Sequence, residues 1–103
     1  MRTTTFTPHD IEVAKALWHL NRNVGSYTLT QSIILDPDFQ QSISKNCTCA
    51  LYGWIGSCFA NAEGGPLEPV ERYSIDDVSI EEKLKLSHEL FKEMEKTNFE
   101  MHE

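Results

Sequence analysis

The stretch Asn46-Cys47-Thr48-Cys49-Ala50-Leu51-Tyr52-Gly53-Trp54-Ile55-Gly56-Ser57-Cys58-Phe59-Ala60-Asn61-Ala62 decides how this chain folds. Cys47, Leu51, Trp54, Ile55, Cys58 and Phe59 recur at spacings of three and four, which is helical periodicity, where strict alternation would mark a strand. The spacing predicts a helix over 46–62. Its small residues Cys49, Gly53, Gly56 and Ala60 also fall three or four apart, so one side lacks bulk and offers another helix a close approach. Two glycines inside a helix cost about 1 kcal/mol each relative to alanine, so tight packing has to offset them. The run is broken by Thr48, Gly53, Gly56 and Ser57 and falls short of the roughly 20 apolar residues a bilayer crossing needs. It belongs in a core.

Upstream, Thr7-Pro8-His9-Asp10 supplies a hydroxyl cap, proline at the first helical position and a carboxylate at N3, with Phe6 and Ile11 placed for a hydrophobic staple. A helix is predicted from Pro8 to Asn23 or Gly25, either of which suits the left-handed residue that ends it. Ile11, Ala14, Leu17 and Trp18, widened by Val13, Ala16 and Leu20, leave a polar stripe of only Glu12, Lys15, His19 and Arg22. The pattern describes a largely buried helix. Between Ser26 and Lys45 the signals conflict. Tyr27-Thr28-Leu29-Thr30 and Ile33-Ile34-Leu35 suit strands, whereas the Thr28–Gln31 capping box and Asp36-Pro37-Asp38 predict short helices over 29–35 and 37–45.

Downstream, Glu63-Gly64-Gly65-Pro66-Leu67-Glu68-Pro69 stops the central helix in a surface loop, and 70–73 reads as extended. Ser79-Ile80-Glu81-Glu82 is a second capping box. Ile80, Leu84, Ser87, Phe91 and Met94, flanked by Leu86 and Leu90, mark the buried stripe of a final helix. Its outer face offers the pairs Glu81–Lys85, Glu89–Lys92 and Glu93–Lys96. The fold expected is therefore mainly α, a compact single-domain bundle of four or five helices over residues 1–103, with 98–103 a frayed tail. The alternative is α+β, with short strands near 27–35 and 47–51. At 103 residues one core is all the chain holds.

Charge is divided unevenly. From Met1 to Ala62 four acids face four bases, while from Glu63 to Glu103 twelve acids face five bases, and that excess is the whole formal charge of −7. Such a chain is repelled by nucleic acid and by anionic membrane, so an electrostatic partner has to be basic. The opening Met1-Arg2-Thr3-Thr4-Thr5-Phe6 carries no apolar run after its base, and three cysteines cannot all pair within a chain. A cytoplasmic location with reduced thiols is the expectation.

Chemistry-bearing motifs are sparse. Cys47, Cys49 and Cys58 are weak metal candidates, since zinc favours C-x₂₋₄-C knuckles and these thiols stand in an apolar run where cysteine behaves as a small hydrophobe. His9, His19, His88 and His102 lack companions at catalytic spacing. Gly64-Gly65 lacks the strand and the lysine of a phosphate loop. The cluster Asp76, Asp77, Glu81 and Glu82 lacks the offsets of a calcium loop and suits a helix start. No cofactor is implied.

The expectation is a non-enzymatic binding protein that docks on the basic surface of a partner protein through Asp76, Asp77, Glu81, Glu82, Glu89 and Glu93. That partner includes nucleic-acid-binding proteins, whose channel a charge mimic of the kind carried by phages and mobile elements would block. Two alternatives are a metal- or redox-responsive module on the three cysteines and a homo-oligomer with ligand sites between subunits. Trp18, Tyr27, Trp54 and Phe59 are the candidate anchors of such an assembly.

Overall fold

The computed structural model describes residues 5–25, 27–63, 73 and 75–99, which form five helices: α1 (Pro8–Val24), α2 (Tyr27–Ile34), α3 (Pro37–Gln41), α4 (Lys45–Glu63) and α5 (Ile80–Glu95). The protein is mainly α. The α+β alternative is overturned, because 27–34 and 47–51 are helical and the described residues hold only an isolated bridge between Ile75 and Val78. Among the described residues no helix is long and apolar enough to cross a membrane.

The start of α1 forms as its residues dictate. Asp10 N–H donates to Thr7 Oγ1 at 3.0 Å and Thr7 N–H donates back to Asp10 Oδ2 at 3.1 Å, while Phe6 is buried beside the half-buried Ile11. Gly25, at φ 71°, closes the other end in the left-handed region that glycine reaches without cost. The reading of α1 as largely buried is corrected. Asp10, Ala14 and Leu17 are buried, Trp18 is only half-buried, and Ala16 and Val24 face solvent.

Two boundaries in the uncertain stretch also move. The helix expected from 29 begins at Tyr27, so Thr28 is inside it and cannot cap it. Thr30 is instead buried and donates its hydroxyl to Asn21 Oδ1 at 3.1 Å, tying α2 to α1. Asp36 caps α3 through Phe39 N–H at 3.1 Å, but the helix expected to reach 45 stops at Gln41. Ser44 is the reason. Its Oγ accepts from Cys47 N–H at 3.1 Å and its carbonyl from Thr48 N–H at 3.0 Å, which makes it the N-cap of α4 and incompatible with a helix running through it.

Helix α4 is central: Cys47 through Gly56 are buried without interruption. Its chief neighbour is α5. The small-residue side read from the sequence is used at Gly53, where an added Cβ would sit 2.4 Å from the carbonyl oxygen and 2.8 Å from the carbonyl carbon of Lys83. Backbone therefore touches backbone with no room between.

That contact also sets the rotation of α5. The buried seam is Lys83, Leu86, Leu90 and Met94, about a quarter turn from the predicted stripe at 100° per residue, and Ile80 and Leu84 remain 37% and 38% exposed. Of the expected tail, Asn98 adopts φ 60° and Phe99 packs edge-on against Trp18 with ring centroids 5.1 Å apart. Residues 100–103 lie outside the described residues, as do 64–72 of the expected loop and extended segment.

Gly53→Ala tests the seam. Helix propensity alone would stabilise the variant by about 1 kcal/mol. Because the methyl group meets backbone, overpacking of about 1–3 kcal/mol should prevail and the variant should lose net stability in urea titrations.

Candidate functional site

The acidic residues singled out by the sequence separate into two groups. Ile75 accepts a hydrogen bond from Val78 N–H at 3.0 Å, closing a tight turn that holds Asp76 and Asp77 at its tip, both exposed. One residue later Ser79 caps α5, its hydroxyl accepting from Glu82 N–H at 3.1 Å, so Glu81 and Glu82 stand exposed in the first helical turn. The turn and the cap thus bring four carboxylates together where the helix dipole favours negative charge. Lys45, at the start of α4, pairs with Asp77 at 2.6 Å, and this hydrogen bond holds the Asp77 carboxyl below its ordinary value and raises the lysine. Both partners are well exposed, so the pair adds little to stability.

Glu89 and Glu93 stand apart from that quartet. Glu93 is twelve residues beyond Glu81, about 18 Å along the helix axis. It is half-buried, pairs with Lys96 at 3.3 Å and lines a cleft of about 350 Å³ with Phe6, Ile11, Lys15 and Thr97. Glu81–Lys85 and Glu89–Lys92 are not among the ion pairs that the described residues form.

The three thiols have three different surroundings. Cys47 points at α1, its Sγ 3.9 Å from the Asp10 carbonyl oxygen, and burial followed by the Asp10 charge pushes its pKa up to about 12. Cys49 lies on the side of α4 that feels Lys45 and Lys83, and burial raises it. Cys58 borders a cleft of about 320 Å³ between α1 and α4 with Trp18, Asn21, Arg22 and Trp54, and burial pushes it up to about 11. Among the described residues no three His, Cys, Asp or Glu side chains gather into a group that could hold a metal ion.

Two polar features escaped the sequence reading. Asp10, 1% exposed, accepts from Ser44 N–H at 3.0 Å and Ser44 Oγ at 2.5 Å as well as from Thr7 N–H. Burial pushes its carboxyl up, but the Ser44 and Thr7 hydrogen bonds outweigh it and leave the pKa below 3.8. The capping-box spacing Thr7-x-x-Asp10 was visible, but nothing in the sequence linked it to Ser44. Lys83, 2% exposed, donates to the Tyr73 carbonyl and lies 5.7 Å from the Tyr52 ring centroid. Burial lowers its pKa. The Tyr52 hydroxyl takes the Gln40 amide at 2.8 Å, and that amide also donates to the Ile34 carbonyl at 2.9 Å, extending the network to α2 and α3.

The chain matches no protein-family model, no curated protein and no solved structure.

Asp10→Asn should destabilise by about 2–3 kcal/mol at neutral pH, since an amide cannot accept all three donors. A depressed carboxyl contributes stability above its ordinary value of 3.8 and loses it as pH falls through the lower folded value. The difference between parent and variant in chemical unfolding should accordingly shrink below pH 4. Thiol trapping gives an independent check. With Cys58 at about 11 against an ordinary 9.0, iodoacetamide at pH 8 should alkylate it about a hundredfold more slowly in the native protein than after denaturation, and Cys47 more slowly still.

Proposed function

We propose that this protein is a small non-enzymatic binding domain that docks, through the carboxylates at the start of α5, on a basic surface of a partner protein. The observation that carries the reading is the quartet Asp76, Asp77, Glu81 and Glu82, all exposed and held on one tight turn and one capped helix start. A rigid frame matters here. Charges fixed in place before encounter need no ordering on binding, and a one-signed patch raises the on-rate with an opposite surface. Glu89 and Glu93 are assigned no docking role, because both are half-buried and stand farther along α5 from the quartet. The complementary surface is rich in lysine and arginine. A nucleic-acid-binding protein offers such a surface, and occupying it with fixed carboxylates would block access of a phosphate backbone. A cytoplasmic site of action accords with this reading and forms part of the proposal.

The test begins with the partner recovered from the native host by affinity purification and identified by mass spectrometry. Asp76→Asn, Glu81→Gln and Glu82→Gln combined should slow association by about tenfold or more at low salt and flatten the dependence of the rate on salt, since exposed charges act over about 8–10 Å and are screened. Glu89→Gln, outside the quartet, should leave the rate unchanged. Circular dichroism must show intact helix content in each variant. A folded triple variant that associates at the parental rate with the parental salt slope would refute the assignment.

A further inference from the structure

We propose that the cleft between α1 and α4 is a binding site for a small aromatic carboxylate, its flat ring seated against Trp18 and Trp54 and its acid group on the Arg22 guanidinium. Among the described residues this cleft of about 320 Å³ is lined by Trp18, Asn21, Arg22 and the cap Gly25 from the end of α1, and by Trp54 and Cys58 from α4. Ligand sites begin at about 300 Å³ and combine aromatic walls with a few converging polar groups. Both tryptophans of the chain are gathered here. Ring contacts elsewhere in the bundle hold the two indoles in place. Trp18 meets Phe99 edge-on with centroids 5.1 Å apart, and Trp54 meets Phe91 edge-on at 5.7 Å. Walls fixed in this way lose little freedom when a ligand enters.

Charge selects the acid group. The Arg22 guanidinium lies over the Trp18 ring, 5.2 Å from its centroid. Stacking engages the face of a guanidinium, whereas its five N–H groups lie around the edge, where a carboxylate is held in bidentate fashion. Asn21 Oδ1 accepts the Thr30 hydroxyl at 3.1 Å, which leaves the N–H groups of that amide as its donors. The carboxyl end of α1 opposes an anion with about half a charge, against the full charge of Arg22, so attraction prevails. No Asp or Glu is among the described lining residues, and residues 1–62, which supply all of them, carry four acids and four bases. The negative excess of the chain therefore stands outside the segment that builds the cleft. The site is separate from the carboxylate quartet, and either proposal can fail without the other.

Titration of the full chain with naphthoate, followed by heteronuclear NMR, tests the proposal. The chain has two indole N–H resonances, one from each tryptophan of the cleft, and both should shift with a common dissociation constant of about 1 mM or below. Naphthamide, which keeps the ring and loses the charge, should bind about tenfold more weakly. Arg22→Gln, an exposed position on α1, should weaken naphthoate by about tenfold and leave naphthamide unchanged. Lys85→Gln, an equal loss of charge on the exposed face of α5, should leave naphthoate binding at the parental value. Should Arg22→Gln lose helix content, the comparison of naphthoate with naphthamide on the parent decides alone. Indole resonances that stay in place up to about 5 mM naphthoate, equal binding of acid and amide, or a folded Arg22→Gln that binds naphthoate like the parent would each overturn the proposal. So would a loss at Lys85→Gln as large as that at Arg22→Gln, since it would show that overall charge is being read.

Discussion

The carboxylate of Asp10 is the constraint on which the rest of the bundle depends. It sits at N3 of α1 and beside the N-cap of α4, so two helix N-termini converge on one buried anion. Removing a carboxylate from water costs several kcal/mol unless hydrogen bonds replace the lost hydration. Thr7 N–H, Ser44 N–H and Ser44 Oγ provide that replacement, and the positive ends of two helix dipoles add to it. The arrangement dictates where α3 must end, since Ser44 cannot lie in a helix interior and also cap α4. It also brings Cys47 against α1. A single side chain thereby places the first helix, the break before the central helix and the register of the central helix's first turn.

The second determinant is steric. Gly53 lets the α4 backbone rest on the Lys83 carbonyl, and the depth of that contact carries the lysine into the interior. A lysine stem is apolar along its length, so it packs in a seam provided the ammonium finds acceptors, and here the Tyr73 carbonyl and the Tyr52 ring receive it. Because α5 is anchored through Lys83, its more apolar stripe through Ile80 and Leu84 turns toward solvent. A residue that a binary pattern assigns to the surface has displaced two that the pattern assigns to the core.

The acidic surface proposed for docking was partly legible in the sequence. Concentration of negative charge toward the C-terminal part of the chain can be counted, and Ser79 with Glu82 announces the helix start that holds half of the quartet. The grouping itself is geometric. Asp76 and Asp77 join Glu81 and Glu82 because a four-residue turn abuts the cap, while Glu89 and Glu93 stand farther off because a helix spreads residues along its axis as well as around it. The separation of Cys47, Cys49 and Cys58 into three surroundings follows from the same helical geometry and could be anticipated from their offsets.

The sequence by itself determined the helical class, the capped starts at Thr7, Asp36 and Ser79, the glycine stop at Gly25 and the burial of Cys47 to Gly56, since each rests on residues within a few positions of one another. Tertiary structure alone decided the ionic and steric links between distant segments. Asp10 and Ser44 are 34 residues apart, and the Gly53 contact joins α4 to Lys83 of α5, far along the chain. Periodicity reports how apolar each face of a helix is. Which face is buried depends on how closely two backbones can approach, and in this protein a hydrogen at Gly53 in place of a methyl group settles that.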